Sequence, residues 1–85
     1  METKVALIGI IVEDSDAAVQ INALLHDYEK YVIGRMGVPH RKRGISVISI
    51  VIDAPANTIS ALSGKLGMIP GVSTKTIYSK VPIES

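Results

Sequence analysis

Two β-branched segments, each apolar on both of its alternating faces, leave this chain few ways to fold. In Val5-Ala6-Leu7-Ile8-Gly9-Ile10-Ile11-Val12, Val5, Leu7, Gly9 and Ile11 point one way while Ala6, Ile8, Ile10 and Val12 point the other. In Ile45-Ser46-Val47-Ile48-Ser49-Ile50-Val51-Ile52-Asp53, Ile45, Val47 and Val51 oppose Ile48, Ile50 and Ile52. Both runs are too short for an average helix. The apolar mass of the chain, 13 Ile and 9 Val with no Phe or Trp, suits sheet. Strands of this kind belong in the middle of a sheet.

Around these two strands the remaining elements fall into place. Glu13-Asp14-Ser15-Asp16 supplies capping oxygens and negative charge for a helix over about residues 15 to 30, with Ala18, Ile21, Leu25 and Tyr28 on its apolar face and Ala17 and Leu24 beside them. Residues 31–38 read as a second strand, ended by Pro39, which has no amide hydrogen to give a ladder. The turn 40–44 is short enough to make an antiparallel hairpin with the strand at 45–53. Ala54-Pro55-Ala56-Asn57 breaks that strand, and Asn57 or Thr58 caps a second helix with Ile59, Leu62 and Leu66 on one face and Gly67 at its close. A last strand follows from Val72, with Val72, Thr74, Thr76 and Tyr78 alternating against Ser73, Lys75, Ile77 and Ser79.

The order is βαββαβ, an α+β, ferredoxin-like plan. Right-handed crossovers then put both helices on one face of an antiparallel sheet ordered 4-1-3-2. Strands one and three become central. Strands two and four become edges, consistent with Arg35 on one and Lys75 and Lys80 at the other. No repeat or linker divides the chain, so residues 1–85 are read as one domain.

Two helices cover one side of a four-stranded sheet. The other side would leave a larger apolar patch in water than soluble monomers usually carry. The expectation is a homo-oligomer, a dimer or tetramer, joined through the sheet face opposite the helices. Residues 81–85 are too few to cover that face.

Chemistry-bearing motifs are scarce. The chain has no Cys, which removes disulfides, thiolate metal sites and a Cys nucleophile. Its two histidines, His26 and His40, lie far apart in sequence. His26 precedes Glu29 by three residues with no second His near it, and His40 stands among Arg41, Lys42 and Arg43, where a metal cation is disfavoured. The serines have no evident His and Asp partners, and Gly34-Arg35-Met36-Gly37 lacks the Lys-Ser/Thr ending of a phosphate loop. A non-enzyme without cofactor or metal is expected. No charged start leads into a cleavable apolar stretch, and no apolar run approaches the ~20 residues that span a bilayer, so a cytoplasmic location is expected.

Charge is more informative by position than in total. Residues 1–34 carry 2 Lys against 6 Asp and Glu, and residues 35–85 carry 7 Lys and Arg against 2 Asp and Glu. Arg35, Arg41, Lys42 and Arg43 concentrate the positive charge along strand two and its turn. This suits a small anionic effector or a partner protein, and equally suits a solvated hairpin whose edge is protected by charge. Arg35, His40, Arg41 and Arg43 are the candidate ligand-binding residues. Nucleic acid is not expected as a partner, since the chain has no basic helix or aromatic pair and a net charge of +1.

Residues 32–39 (Val-Ile-Gly-Arg-Met-Gly-Val-Pro), 44–51 (Gly-Ile-Ser-Val-Ile-Ser-Ile-Val) and 59–72 (Ile-Ser-Ala-Leu-Ser-Gly-Lys-Leu-Gly-Met-Ile-Pro-Gly-Val) resemble the small iron-only hydrogenase system regulators. The resemblance covers about residues 4 to 80. That family is similar in fold to the ACT-like carboxy-terminal domain of the nickel-responsive repressors, which binds effectors and assembles through its sheets. The resemblance implies a non-catalytic, oligomeric regulatory module; the alternative is an assembly factor in hydrogenase maturation that takes no small ligand. The nickel repressors hold metal through several His and a Cys. This chain has neither a Cys nor a His-x-His pair, so no metal ligand carries over, and direct DNA binding by this chain alone is not expected.

Overall fold

A computed structural model of the chain describes residues 2–80. In chain order it contains β1 (Lys4–Val12), a 3-10 turn (Ser15–Ala17), α1 (Ala18–Asp27), a second 3-10 turn (Glu29–Tyr31), β2 (Val32–His40), β3 (Ile45–Ala54), α2 (Ala56–Gly67) and β4 (Val72–Tyr78). The four strands form one antiparallel sheet in the order β2-β3-β1-β4. This is the expected α+β, βαββαβ arrangement, with the two doubly apolar strands at its centre.

Strand parity decides what is buried. Ala6, Ile8, Ile10 and Val12 of β1 and Ile50, Ile52 and Ala54 of β3 lie against Ile21 and Leu25 of α1 and Ile59, Leu62 and Leu66 of α2, all in one core. Eight Ile and Leu side chains there have essentially no contact with solvent. β4 joins through Val72 and through two hydroxyl contacts with α2. Thr76 Oγ1 donates to Ser63 Oγ at 3.0 Å, and Thr74 Oγ1 donates to the Ser63 carbonyl at 3.4 Å.

Three local features differ from the sequence expectation, each for a physical reason. The first helix is shorter than residues 15–30, because tighter 3-10 turns flank it; Asp14 caps the first, its Oδ1 accepting the Asp16 amide at 3.0 Å. Pro39 lies inside β2, paired with Ser46, rather than ending it. An edge strand points alternate amides away from its one neighbour, so the missing donor is tolerated. Asn57 and Thr58 are inside α2, not caps. Pro55 precedes the helix, and its carbonyl accepts the Thr58 and Ile59 amides at 2.9 and 3.1 Å.

Gly67 is the last residue of α2, as expected, and the left-handed conformation that follows belongs to Gly71, at φ +78°. A Cβ on Gly71 would stand 2.6 Å from the Asp14 Cβ, and the Gly71 carbonyl accepts the Glu13 amide at 2.7 Å. The loops leaving β1 and entering β4 are thereby locked together. Residues 81–85, expected to be too short to cover the open face, lie outside the described residues.

Candidate functional site

The sheet surface away from the helices is apolar and open. Register places its side chains in rows that run β2, β3, β1, β4: Gly34, Val51, Leu7 and Ile77; then Met36, Ser49, Gly9 and Lys75; then Val38, Val47, Ile11 and Ser73. Met36 is 62% exposed, Ile77 66% and Val38 51%, and Val5, Leu7, Ile11 and Val51 are each more than a third exposed. These seven account for most of the large apolar side chains in contact with solvent among the described residues. Ser49 and Gly9 form a dimple at the centre. A Cβ on Gly9 would meet only the Lys75 carbonyl oxygen, at an ordinary 3.8 Å, so the fold itself does not require glycine there. Beside the dimple, Val5, Leu7, Val51 and Ile77 border a shallow hollow of about 240 Å³.

A second feature lies on the helix side, under α1. β2 carries a bulge at Ile33, between the pairs Val32 with Ile52 and Gly34 with Val51. The extra residue sets the parity of the rest of the strand. Met36, Val38 and His40 join the open face, whereas Arg35 stands across from Ile50, whose side chain is fully buried in the core. Arg35 Nη2 donates to Asn22 Oδ1 at 2.8 Å. Together they border a groove of about 380 Å³ that is also lined by His26, Glu29 and the half-buried Val32, with the buried Leu25 and Ile50 behind. His26 Nδ1 is 3.3 Å from Glu29 Oε2, both side chains largely in solvent.

The four candidate residues therefore occupy different places. Arg35 is in the groove. His40, across from Ile45, belongs to the open face at the hairpin end. Arg41 and Arg43 are in the turn, which is closed by the Arg43 amide on the His40 carbonyl at 3.3 Å and the Gly44 amide on the Arg41 carbonyl at 3.2 Å, with Gly44 at φ +66°. Arg43 faces a hollow of about 510 Å³ shared with Ile11, Glu13 and Ile45. Proximity in sequence had grouped Arg35 with the turn; strand register separates them.

The groove residues Asn22, His26 and Glu29 were not among the candidates. They recur at four- and three-residue spacing, one stripe of α1 and the turn after it, and that stripe was the available signal.

Elsewhere, Lys65 Nζ of α2 donates to Tyr28 Oη at 2.9 Å and sits 5.3 Å from the centre of that ring, tying α2 to the end of α1. The Tyr28 hydroxyl raises the Lys65 pKa above its ordinary value, with the Tyr28 and Asp27 charges acting in the same direction. Among the described residues, no three His, Asp or Glu side chains come together as a metal site, and no helix is long and apolar enough to cross a membrane.

Comparison with known proteins gives a consistent picture. A solved structure, the uncharacterized protein TM1266 from Thermotoga maritima, is 38% identical and superposes with a TM-score of 0.89, covering 93% of this chain and 100% of that one. A formyltetrahydrofolate deformylase from Pseudomonas putida KT2440 matches with a TM-score of 0.62 at 14% identity, over 86% of this chain and 28% of its own, a likeness of fold alone. No curated protein matches the sequence. One family matches residues 4–76, under the description "TM1266-like: Iron-only hydrogenase system regulator, putative". By that match and by its 38% identity to the Thermotoga protein, this chain belongs to the TM1266-like family.

Proposed function

We propose that this protein is a non-catalytic, cytoplasmic regulatory module of an iron-only hydrogenase system, working as a homo-oligomer that takes up a small anionic effector or a partner protein. The observation that carries this reading is the open sheet face. Seven large apolar side chains on two central and two edge strands are left in water by a single copy. An apolar, self-complementary face of this kind is what a two-fold pair buries.

Several features support the choice of partner. The face is a patchwork of knobs and a dimple, Met36 standing out in the same row as the hollow at Ser49 and Gly9, so a second copy turned end for end can set one into the other. Arg35 on the helix side, and His40, Arg41 and Arg43 at the hairpin end, supply the positive charge for an anion or an acidic partner surface. Light scattering on the purified chain tests the reading. A mass of two or four times the 9.1 kDa protomer is expected, and a monodisperse monomer at about 100 µM, well above the dissociation constant of a stable dimer, would overturn it.

A further inference from the structure

We propose that the groove beneath α1 is the effector site, and that it takes a small carboxylate with an apolar body, held at its charged end by Arg35. This rests on the reading of the protein as an anion-responsive module and gives that response a place and a ligand class.

The chemistry follows from four observations. The Arg35 side chain makes a single hydrogen bond among the described residues, to Asn22 Oδ1, so most of its five N–H donors remain for a ligand while the tether holds the guanidinium at the groove. Its planar fork matches the two oxygens of a carboxylate. The apolar wall of the groove is the half-buried Val32 backed by the buried Leu25 and Ile50, and it offers a hydrocarbon body a contact and a second polar group no partner. Among the described residues, Arg35 is the one Lys or Arg bordering the groove, and Glu29 also borders it, so a single carboxylate pairs with the guanidinium while the second charge of a dianion finds no further cation.

Size and access agree with this class. A volume of about 380 Å³ is at the small end of the range for small-molecule sites. The groove is on the helix side of the sheet, so a second copy seated on the open face leaves it accessible. An open groove with one charged anchor suits dissociation constants of roughly 0.1 to 1 mM for a ligand of about ten heavy atoms.

The test is a two-dimensional nitrogen–proton NMR titration of the full chain with benzoate, 4-methylpentanoate and inorganic phosphate. The two carboxylates are expected to shift amides of residues 22–29 and 32–36 saturably, with phosphate at least about tenfold weaker. Arg35→Ala is expected to weaken carboxylate binding at least about tenfold and Arg35→Lys by less, because a lysine keeps the charge and loses the fork. Arg35 is exposed on an edge strand, and the dispersion of the same spectra reports whether each variant is folded. Should Arg35→Ala lose the fold, Asn22→Ala replaces it, with a several-fold loss expected from the released tether.

Phosphate binding as well as the carboxylates would overturn the site's chemistry. Saturable shifts confined to residues 40–44 and removed by Arg41→Ala or Arg43→Ala would overturn this location while leaving an anion-responsive protein. No saturable shift with any of the three probes would overturn both the site and the anion response.

Discussion

Replacing Leu7 with Asp puts a charge at the middle of the open face without touching the core. Leu7 is 39% exposed, on central strand β1, between Val51 and Ile77 in its row. Burying a whole Leu is worth about 1.5 to 3 kcal/mol, so covering the exposed part of this one is worth about 1 kcal/mol per copy and about 2 per two-fold pair. The carboxylate that replaces it must lose water against apolar neighbours, and an uncompensated buried charge costs about 3 to 5 kcal/mol. Lys75 stands one row away and offsets part of this. A net loss above about 4 kcal/mol remains, which raises the dimer dissociation constant at least about 1,000-fold.

Sedimentation equilibrium over about 5 to 200 µM reads the change directly. Leu7→Asp is expected to dissociate with a constant at least about 1,000-fold above the wild type's, its mass falling toward the 9.1 kDa protomer on dilution, with an unchanged far-ultraviolet circular dichroism spectrum. Val19→Asp is the control. Val19 is 78% exposed, on α1, away from the sheet surface, and the same chemical change there is expected to leave the assembly intact. If Leu7→Asp keeps the wild-type mass, or if Val19→Asp dissociates the protein equally well, the open face is not what joins the copies.

Gly71→Ala is expected to destabilise the fold by more than about 1 kcal/mol, because the residue sits at φ +78° and the new Cβ would collide with Asp14; urea denaturation reads the loss. Ile50→Ala removes a fully buried side chain from the core and is expected to cost about 2 to 5 kcal/mol, measured by the same denaturation series. The raised Lys65 pKa gives a pH dependence of definite sign. A group whose pKa is higher folded than unfolded stabilises fully below its unfolded value of 10.5 and loses that contribution as pH rises through the folded value. Thermal melts across this alkaline range should therefore fall more steeply for the wild type than for Lys65→Met; equal slopes would refute a role for the Lys65 and Tyr28 contact.

The parts of the fold legible in sequence were those fixed by strand parity. β1 and β3 are apolar at odd and even positions alike, which identified them as central and predicted an uncovered face; the exposed Leu7 and Val51 and the buried Ile8 and Ile50 are that prediction in the structure. The edges were harder to read. Pro39 ends a strand only when its amide is needed by a neighbour, and sequence does not say which neighbour is missing. The bulge at Ile33 had a larger effect on the candidate site. One inserted residue exchanges the faces of everything after it, so the side of the sheet that Arg35 occupies was not readable from alternation. Asn22, His26 and Glu29 gain a shared setting only once Arg35 is placed beside them.

Successive residues of a strand face opposite ways, and in β3 this ties two surfaces to one peptide unit. Ile50 lies behind the groove, and Val51, the next residue, is part of the open face. A carboxylate in the proposed groove site would lie over the core layer that Ile50 belongs to, and a second copy on the open face would touch Val51. Thermodynamic linkage then requires reciprocity: whatever factor the ligand contributes to self-association, self-association returns to ligand affinity. Where the two proposed surfaces do couple, the sheet between them is one residue thick, and no moving domain or hinge is needed to carry it.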